Sequence, residues 1–270
     1  MDAELLNWKK RLVDMAKNDT IIDFTVWVNY LAFDIIGHFA FGKSFGFIEQ
    51  SKDPYDLIST IDTRGEVLNA LGTLPACLRP CMKHMYIDPF WSAGLRAASN
   101  LAALGRAAYF ERRNNPLPRK DLLSYLFAAK DNEDVGEQET IAESISFIVR
   151  GSDTTSSTIT HFIDFVSRDR ALQRNLQKEL DTLKEVMRIR PTSSTGLERV
   201  VPKGGKRIAG EWFPAGTVVS VPTCGLMSDP RVFKDAAHFF PERWLDTNAN
   251  ELLEHFMPFS TGPRACIGRK

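Results

Sequence analysis

The sequence has no excess of charge of either sign. Thirty-four Lys and Arg stand against thirty-four Asp and Glu, so the formal net charge is zero and no basic field exists to gather nucleic acid or an anionic membrane. Cysteine is scarce, with four in 270 residues at positions 77, 81, 224 and 266, and no basic-then-apolar leader precedes them. A secreted disulfide framework therefore has no support, and the cysteines read as free thiols. Uninterrupted apolar runs are missing too: the most apolar stretch, 21–47, is broken by Asp23, Asn29, Asp34 and His38, which fits a buried helix and not a bilayer span. No G-x-G-x-x-G, P-loop or G-x-S-x-G occurs, so nucleotide transfer and serine hydrolysis lose their usual signatures. No anchor, lipidation motif, repeat or low-complexity tract is present, and the chain as it stands is expected to be soluble, without a nucleic-acid partner.

What is present supports a packed core: 43% of the residues are hydrophobic and 10% aromatic, which excludes disorder as the main state. Residues 1–190 are patterned as helices, with Leu5, Leu6, Trp8, Leu12, Met15 and Ala16 sharing one face. Phe41-Gly42 and Phe45-Gly46 end a helix, Asp53-Pro54 opens another, and 114–118 is a loop before a helix near Asp121. A long helix follows the acidic run 131–139. Beyond Pro191, glycines and prolines separate short β-branched runs such as 217–221, which predicts a small antiparallel β region near 197–222. The expected fold is mainly α with a small antiparallel β region, forming one incomplete domain: helical over 1–190, with the β region and a terminal loop over 191–270.

Four segments carry chemistry. Gly151-Ser152-Asp153-Thr154-Thr155 lies within a helical period although Gly, Asp and Thr weaken a helix interior. Two readings stay open: a distorted helix offering an acid beside an alcohol for proton delivery, or the N-cap of a separate helix at Asp153. Glu185 and Arg188 share a helical face, which by default describes a solvated surface pair. Pro241-Glu242-Arg243-Trp244 places a second guanidinium on a rigid turn, and Arg243 could join Glu185 and Arg188 in a buried network. Finally, 259–268 presents Cys266 in a Gly/Pro-shaped loop with Arg264 two residues before it, an arrangement suited to a metal-bound thiolate; a free structural cysteine is the alternative. Cys77, Cys81 and His84 form at most half of a zinc site, and the other half is missing.

In this order and spelling the four segments resemble the cytochrome P-450 family of haem-thiolate monooxygenases. Arg150-Gly151-Ser152-Asp153-Thr154-Thr155 resembles the family's A/G-G-x-D/E-T-T/S helix, Glu185-Val186-Met187-Arg188 its E-x-x-R, and 241–244 its P-E-R-F/W turn. Phe259, Gly262, Arg264, Cys266 and Gly268 fill every defined position of F-x-x-G-x-R-x-C-x-G. The resemblance implies haem b, with Cys266 as the axial thiolate on iron and Arg264 on a propionate. Arg199 is a second candidate propionate contact. It further implies a proton relay through Asp153 and Thr154, with Gly151 leaving room for dioxygen, and a structural network of Glu185, Arg188 and Arg243. The implied activity inserts one atom of O2 into a small apolar or aromatic substrate, with electrons from an NADPH-dependent reductase. The wording of 216–222 and 258–266 is similar to fungal members, including the benzoate 4-monooxygenase-like group and relatives that tailor secondary metabolites.

The chain also departs from the family. Its start resembles the fourth main helix, so the membrane anchor that holds full-length relatives at the endoplasmic reticulum, the first strands and a W-x-x-x-R haem contact are expected to lie outside it. Thr154 and Glu185 are 31 positions apart, about half the family interval, as though a helix and loop were removed where 177–181 runs straight into 182–185. The sequence ends four residues after Cys266, before the helix that backs the thiolate. Arg150 stands where a small residue is usual. Two other readings stay open on these grounds: a haem-thiolate isomerase or dehydratase, and a catalytically inactive remnant.

Overall fold

The computed structural model describes residues 2–75, 77–82, 84–85, 87–118, 120–131, 135–169, 173, 179–246 and 249–269. Of the expected junction over 177–185, Gln177 and Lys178 lie outside them. The chain divides into two compact units, Met1–Ser156 and Ser157–Lys270, with the division falling inside one long helix.

The first unit is helical: α1 (Asp2–Lys17), α2 (Phe24–Phe41), α3 (Phe47–Gln50), α4 (Leu57–Thr73), α5 (Arg79–Met82), α6 (Pro89–Asn114), α7 (Leu122–Asp131) and the greater part of α8 (Glu137–Arg168). Helix α2 begins where the Asp23 carboxylate accepts the N–H groups of Thr25 and Val26, and it ends at Gly42, whose φ of +78° suits a residue without a β-carbon. By length and composition α2 could cross a membrane. Much of it is covered by protein: Val28, Leu31, Phe33, Ala40 and Phe41 are buried, the Phe33 ring stacks on Phe47 at 4.9 Å, and Phe39 is exposed.

The acidic interruption at Asp34 has a structural reason. Its carboxylate is fully buried and accepts the N–H groups of Gly46, Phe47 and Ile48 at 2.8, 3.2 and 2.9 Å, satisfying the first turn of α3. Helix α6 starts at an Asp88 cap followed by Pro89, and it approaches α4 closely. A β-carbon at Gly94 would lie 2.6 Å from the Val67 side chain. The buried pair Arg112–Asp121, 2.7 Å apart, ties the end of α6 to the start of α7.

Helix α8 runs through the Gly-Ser-Asp-Thr-Thr segment as regular α-helix, so Asp153 is not the cap of a separate helix and the expected distortion is absent. The hydroxyls are satisfied within the helix: Ser152 donates to Ile148 O at 2.6 Å, Thr154 to Arg150 O at 2.8 Å and Ser156 to Asp153 O at 3.0 Å.

The second unit holds α9 (Glu179–Ile189), four short strands, α10 (Thr223–Met227), a 3-10 turn at Pro241–Leu245 and α11 (Ala249–Glu254). The β region forms two antiparallel ladders. β1 (Arg199–Val200) pairs with β4 (Val218–Val219), and β2 (Lys206–Ile208) pairs with β3 (Glu211–Phe213) around the Ala209-Gly210 turn. Met227, Phe233, Trp244 and Leu252 form the core of this unit, with Phe256 packed on it. Short 3-10 turns at Gly262–Arg264 and Ile267–Arg269 frame Cys266.

Candidate active site

Glu185 and Arg188 are not a surface pair. Both side chains are fully buried, and Arg243 is nearly so. Oε1 of Glu185 accepts from Arg188 Nη2 at 2.8 Å, from the Phe240 N–H at 3.1 Å and from Arg243 Nε at 3.1 Å. Oε2 accepts from Arg188 Nε and from the indole Nε1 of Trp244, each at 3.0 Å. The two guanidinium groups then reach outward: Arg188 donates to the carbonyls of Met227 and Ala236 at 2.8 Å, and Arg243 to that of Lys234 at 2.7 Å.

One carboxylate and two cations thereby gather α9, the 227–238 segment and the 3-10 turn into one fixed body. Three charges cannot be buried cheaply unless their remaining polar atoms are satisfied, and here backbone carbonyls complete the set. Trp244 belongs to this network although spacing did not place it there. The available signal was an indole N–H beside Arg243 in the Pro241–Leu245 turn, which needs an acceptor once buried. Its ring lies 5.1 Å from that of Phe256, just ahead of the terminal loop.

In that loop the chain is turned by residues with positive φ, Ser260 at +59° and Gly262 at +73°. The Cys266 N–H donates to Phe259 O at 2.8 Å and the Ala265 N–H to Gly262 O at 3.0 Å, closing the loop on itself. Cys266 is exposed, and so are Arg264 and Gly268, while Phe259 is half-buried. A β-carbon at 268 would lie 3.7 Å from the Cys266 Sγ, so a larger side chain there would stand against the sulfur. Glycine leaves that side bare. Arg199 is exposed on β1 and donates to the carbonyl of its neighbour Glu198.

In the first unit, Gly151, Asp153 and Thr154 sit on α8. Asp153 and Thr154 are exposed, and burial of the carboxyl on its inner side raises the Asp153 pKa above the usual aspartate value. Arg150 is likewise exposed, its cation in solvent. A β-carbon at Gly151 would meet Ile36 of α2, at 2.5 Å from Cδ1 and 2.7 Å from Cγ1, so the glycine permits close helix packing.

Gly151→Ala is accordingly expected to destabilise the first unit by about 1 kcal/mol, overpacking of about 2 kcal/mol being partly offset by the better helix propensity of Ala. Urea denaturation of this variant, and of Gly151→Ala combined with Ile36→Ala, checks it. Recovery in the double variant beyond additivity is the expected coupling, whereas unchanged stability in Gly151→Ala contradicts the packing role. Cys77, Cys81 and His84 are not gathered: among the described residues no group of three or more His, Cys, Asp or Glu is placed to hold a metal ion.

The sequence model of the Cytochrome P-450 family matches residues 2–183 and 181–270, which between them span nearly the whole chain. The chain belongs to this family. Benzoate 4-monooxygenase bphA of Aspergillus niger is 35% identical over 96% of the chain and 59% of that protein. Cytochrome P-450 monooxygenase orf5 of Eupenicillium brefeldianum is 30% identical over 92% and 54% respectively. Pisatin demethylase of Fusarium vanettenii is 28% identical over all of the chain and 58% of its own length.

The chain therefore spans little more than half the length of these cytochrome P-450 relatives. The alignment with the Aspergillus protein extends over 311 positions, more than the 270 residues of the chain, so that relative holds stretches without a counterpart here. The family match also falls into two pieces that meet at 181–183. Both observations fit a Thr154–Glu185 interval shorter than the family's. Membership in the family implies a haem cofactor.

Proposed function

We propose that this chain carries the iron-ligating and proton-handling residues of a monooxygenase that inserts one atom of O2 into a small apolar or aromatic molecule. The observation that carries this reading is the Cys266 loop, a single exposed sulfur held on a closed turn with glycine beside it. The residues present fit a haem. Cys266 is the thiolate ligand of haem b, exposed Arg264 binds a propionate, and Phe259 and Gly262 shape the approach. Arg199 is the further propionate contact. The haem supplies dioxygen activation and the oxidation itself.

Every other task belongs to the chain. Glu185, Arg188 and Arg243 fix the segment that leads into the thiolate loop and do no chemistry. The Asp153 carboxyl holds a proton and the Thr154 hydroxyl, set by its bond to Arg150 O, passes it on. Electrons come from an NADPH-dependent reductase, and the full-length protein works at the endoplasmic reticulum membrane. The name of the Aspergillus relative, a benzoate 4-monooxygenase, favours an aromatic acid among the substrates to be tried first.

The test uses the haem-loaded chain, a reductase and a panel of aromatic acids under labelled dioxygen. Label in a hydroxylated product is expected. Product formed without label, or no product from a chain that retains haem stoichiometrically, contradicts the reading.

A further inference from the structure

A cleft of about 230 Å3 in the first unit lies between the end of α2, the turn that follows it, Tyr55 and the last turns of α6. One wall is aromatic. Phe41 and Phe45 are buried with ring centroids 5.6 Å apart, and Tyr55, half in solvent, stands edge-on to Phe45 at 6.3 Å. Lys43 and Glu111 also line the cleft, half-exposed and paired with each other, so it opens to solvent on that side. An apolar cavity of about 150 Å3 admits benzene, and the sites of drug-sized ligands hold about 300–1,000 Å3. The intermediate volume suits a single ring with a short polar arm.

Arg112 dictates what that arm carries. It lines the cleft with 7% of its surface exposed. Its Nε donates to Asp121 at 2.7 Å and its Nη1 to Asn115 O at 3.3 Å, but among the described residues nothing accepts from Nη2. Nor is Nη2 sealed within protein, since among those residues only the Thr160 hydroxyl is a fully buried side-chain polar atom without a partner. A guanidinium edge this deep in the protein needs an acceptor. The charges lining the cleft favour an anionic one: Lys43 and Arg112 are cations and Glu111 is the single anion, while Asp121, which answers Arg112, is itself buried. A carboxylate matches the geometry of a guanidinium edge.

We propose that this cleft binds a small aromatic carboxylate, its ring against Phe45 and Tyr55 and its carboxylate on Nη2 of Arg112. Lys43 at the rim adds a second positive charge. The site lies within the first unit and shares no residue with those assigned to the haem, so binding needs no haem.

The experiment is a 19F NMR titration of the purified full chain, with and without haem, using 4-fluorophenylacetate as probe, 4-fluorophenylacetamide as its uncharged counterpart and acetate as a competitor without a ring. A saturable site at least about tenfold tighter for the acid than for the amide is expected, with acetate competing poorly. Arg112→Lys keeps a cation for Asp121 but loses the second donor edge, and it is expected to remove the preference for the acid. Ala107→Trp, at an exposed position of the lining, fills the cleft with little effect on folding and is expected to abolish binding of both probes. Far-UV circular dichroism identifies the folded variants; where Arg112→Lys does not fold, the acid-to-amide ratio and Ala107→Trp decide. Equal affinity for acid and amide overturns the proposal, and so does acid binding that is unchanged in folded Ala107→Trp or that requires haem. Binding in a chain that fails the labelled-dioxygen test leaves the cleft assigned and removes the monooxygenase reading instead.

Discussion

Glu185→Ala is expected to leave the second unit unfolded at 25 °C. The substitution strands two buried guanidinium groups, the Trp244 indole and the Phe240 N–H, all of which lose an acceptor at once. Breaking a buried ion pair from one side costs about 3–5 kcal/mol, and each further buried donor without a partner about 1–3 kcal/mol. The total reaches the whole stability of an ordinary domain, about 5–15 kcal/mol. Glu185→Gln keeps one acceptor but turns an NH2 group towards donors, so it is expected to fall between the two. Urea denaturation followed by Trp fluorescence reads the difference, since Trp244 sits in the network. A Glu185→Ala chain with a native-like transition would contradict a structural role for this carboxylate.

Cys266→Ser separates chemistry from folding. The Cys266 side chain is exposed, and its hydrogen bond to Phe259 uses the backbone N–H, so the loop keeps its closure in the variant. The expected change in stability is within about 0.5 kcal/mol. Haem retention is expected to drop and turnover to fall to background, because serine supplies no thiolate. Thermal unfolding and haem content measured on the same sample check both halves. Full turnover in the variant contradicts the assignment of Cys266, and so would a large loss of stability without change in ligation.

The Glu185 variant removes the frame and the Cys266 variant removes the ligand. Together they separate what holds the second unit from what it presents. Glu185 sits on α9 and Cys266 lies beyond α11, and the segment between them passes through the Trp244 and Phe256 contact. A Trp244→Phe variant therefore isolates the indole bond within the same frame.

Much of this was legible in the sequence because the residues obey local rules. The Gly42 stop and the long α8 follow from breakers and apolar period, and the β region falls where glycine and proline punctuate β-branched runs; the helix expected to open at Asp53-Pro54 begins later, at Leu57. Glu185, Arg188 and Arg243 were identifiable through their motifs. Their burial was not, because a spacing of three describes a solvated pair and a buried one equally well. Trp244 was missed for the same reason, since its acceptor lies 59 positions away.

Two other features depend on partners that spacing does not name. Asp34 interrupts an apolar helix, and only the fold shows that it faces the N–H groups of Gly46, Phe47 and Ile48. The close approach of Ile36 to Gly151 is likewise visible only in the fold. Helix α8 stays continuous through five weak helix formers, an outcome that propensity alone scores the other way.

The most direct measurement is the absorption spectrum of the purified chain, reconstituted with haem, reduced and exposed to carbon monoxide, beside Cys266→Ser treated identically. A strongly red-shifted Soret band in the unmodified chain, absent from the variant, is the predicted result and assigns the thiolate to Cys266. An unshifted band in the unmodified chain would contradict it.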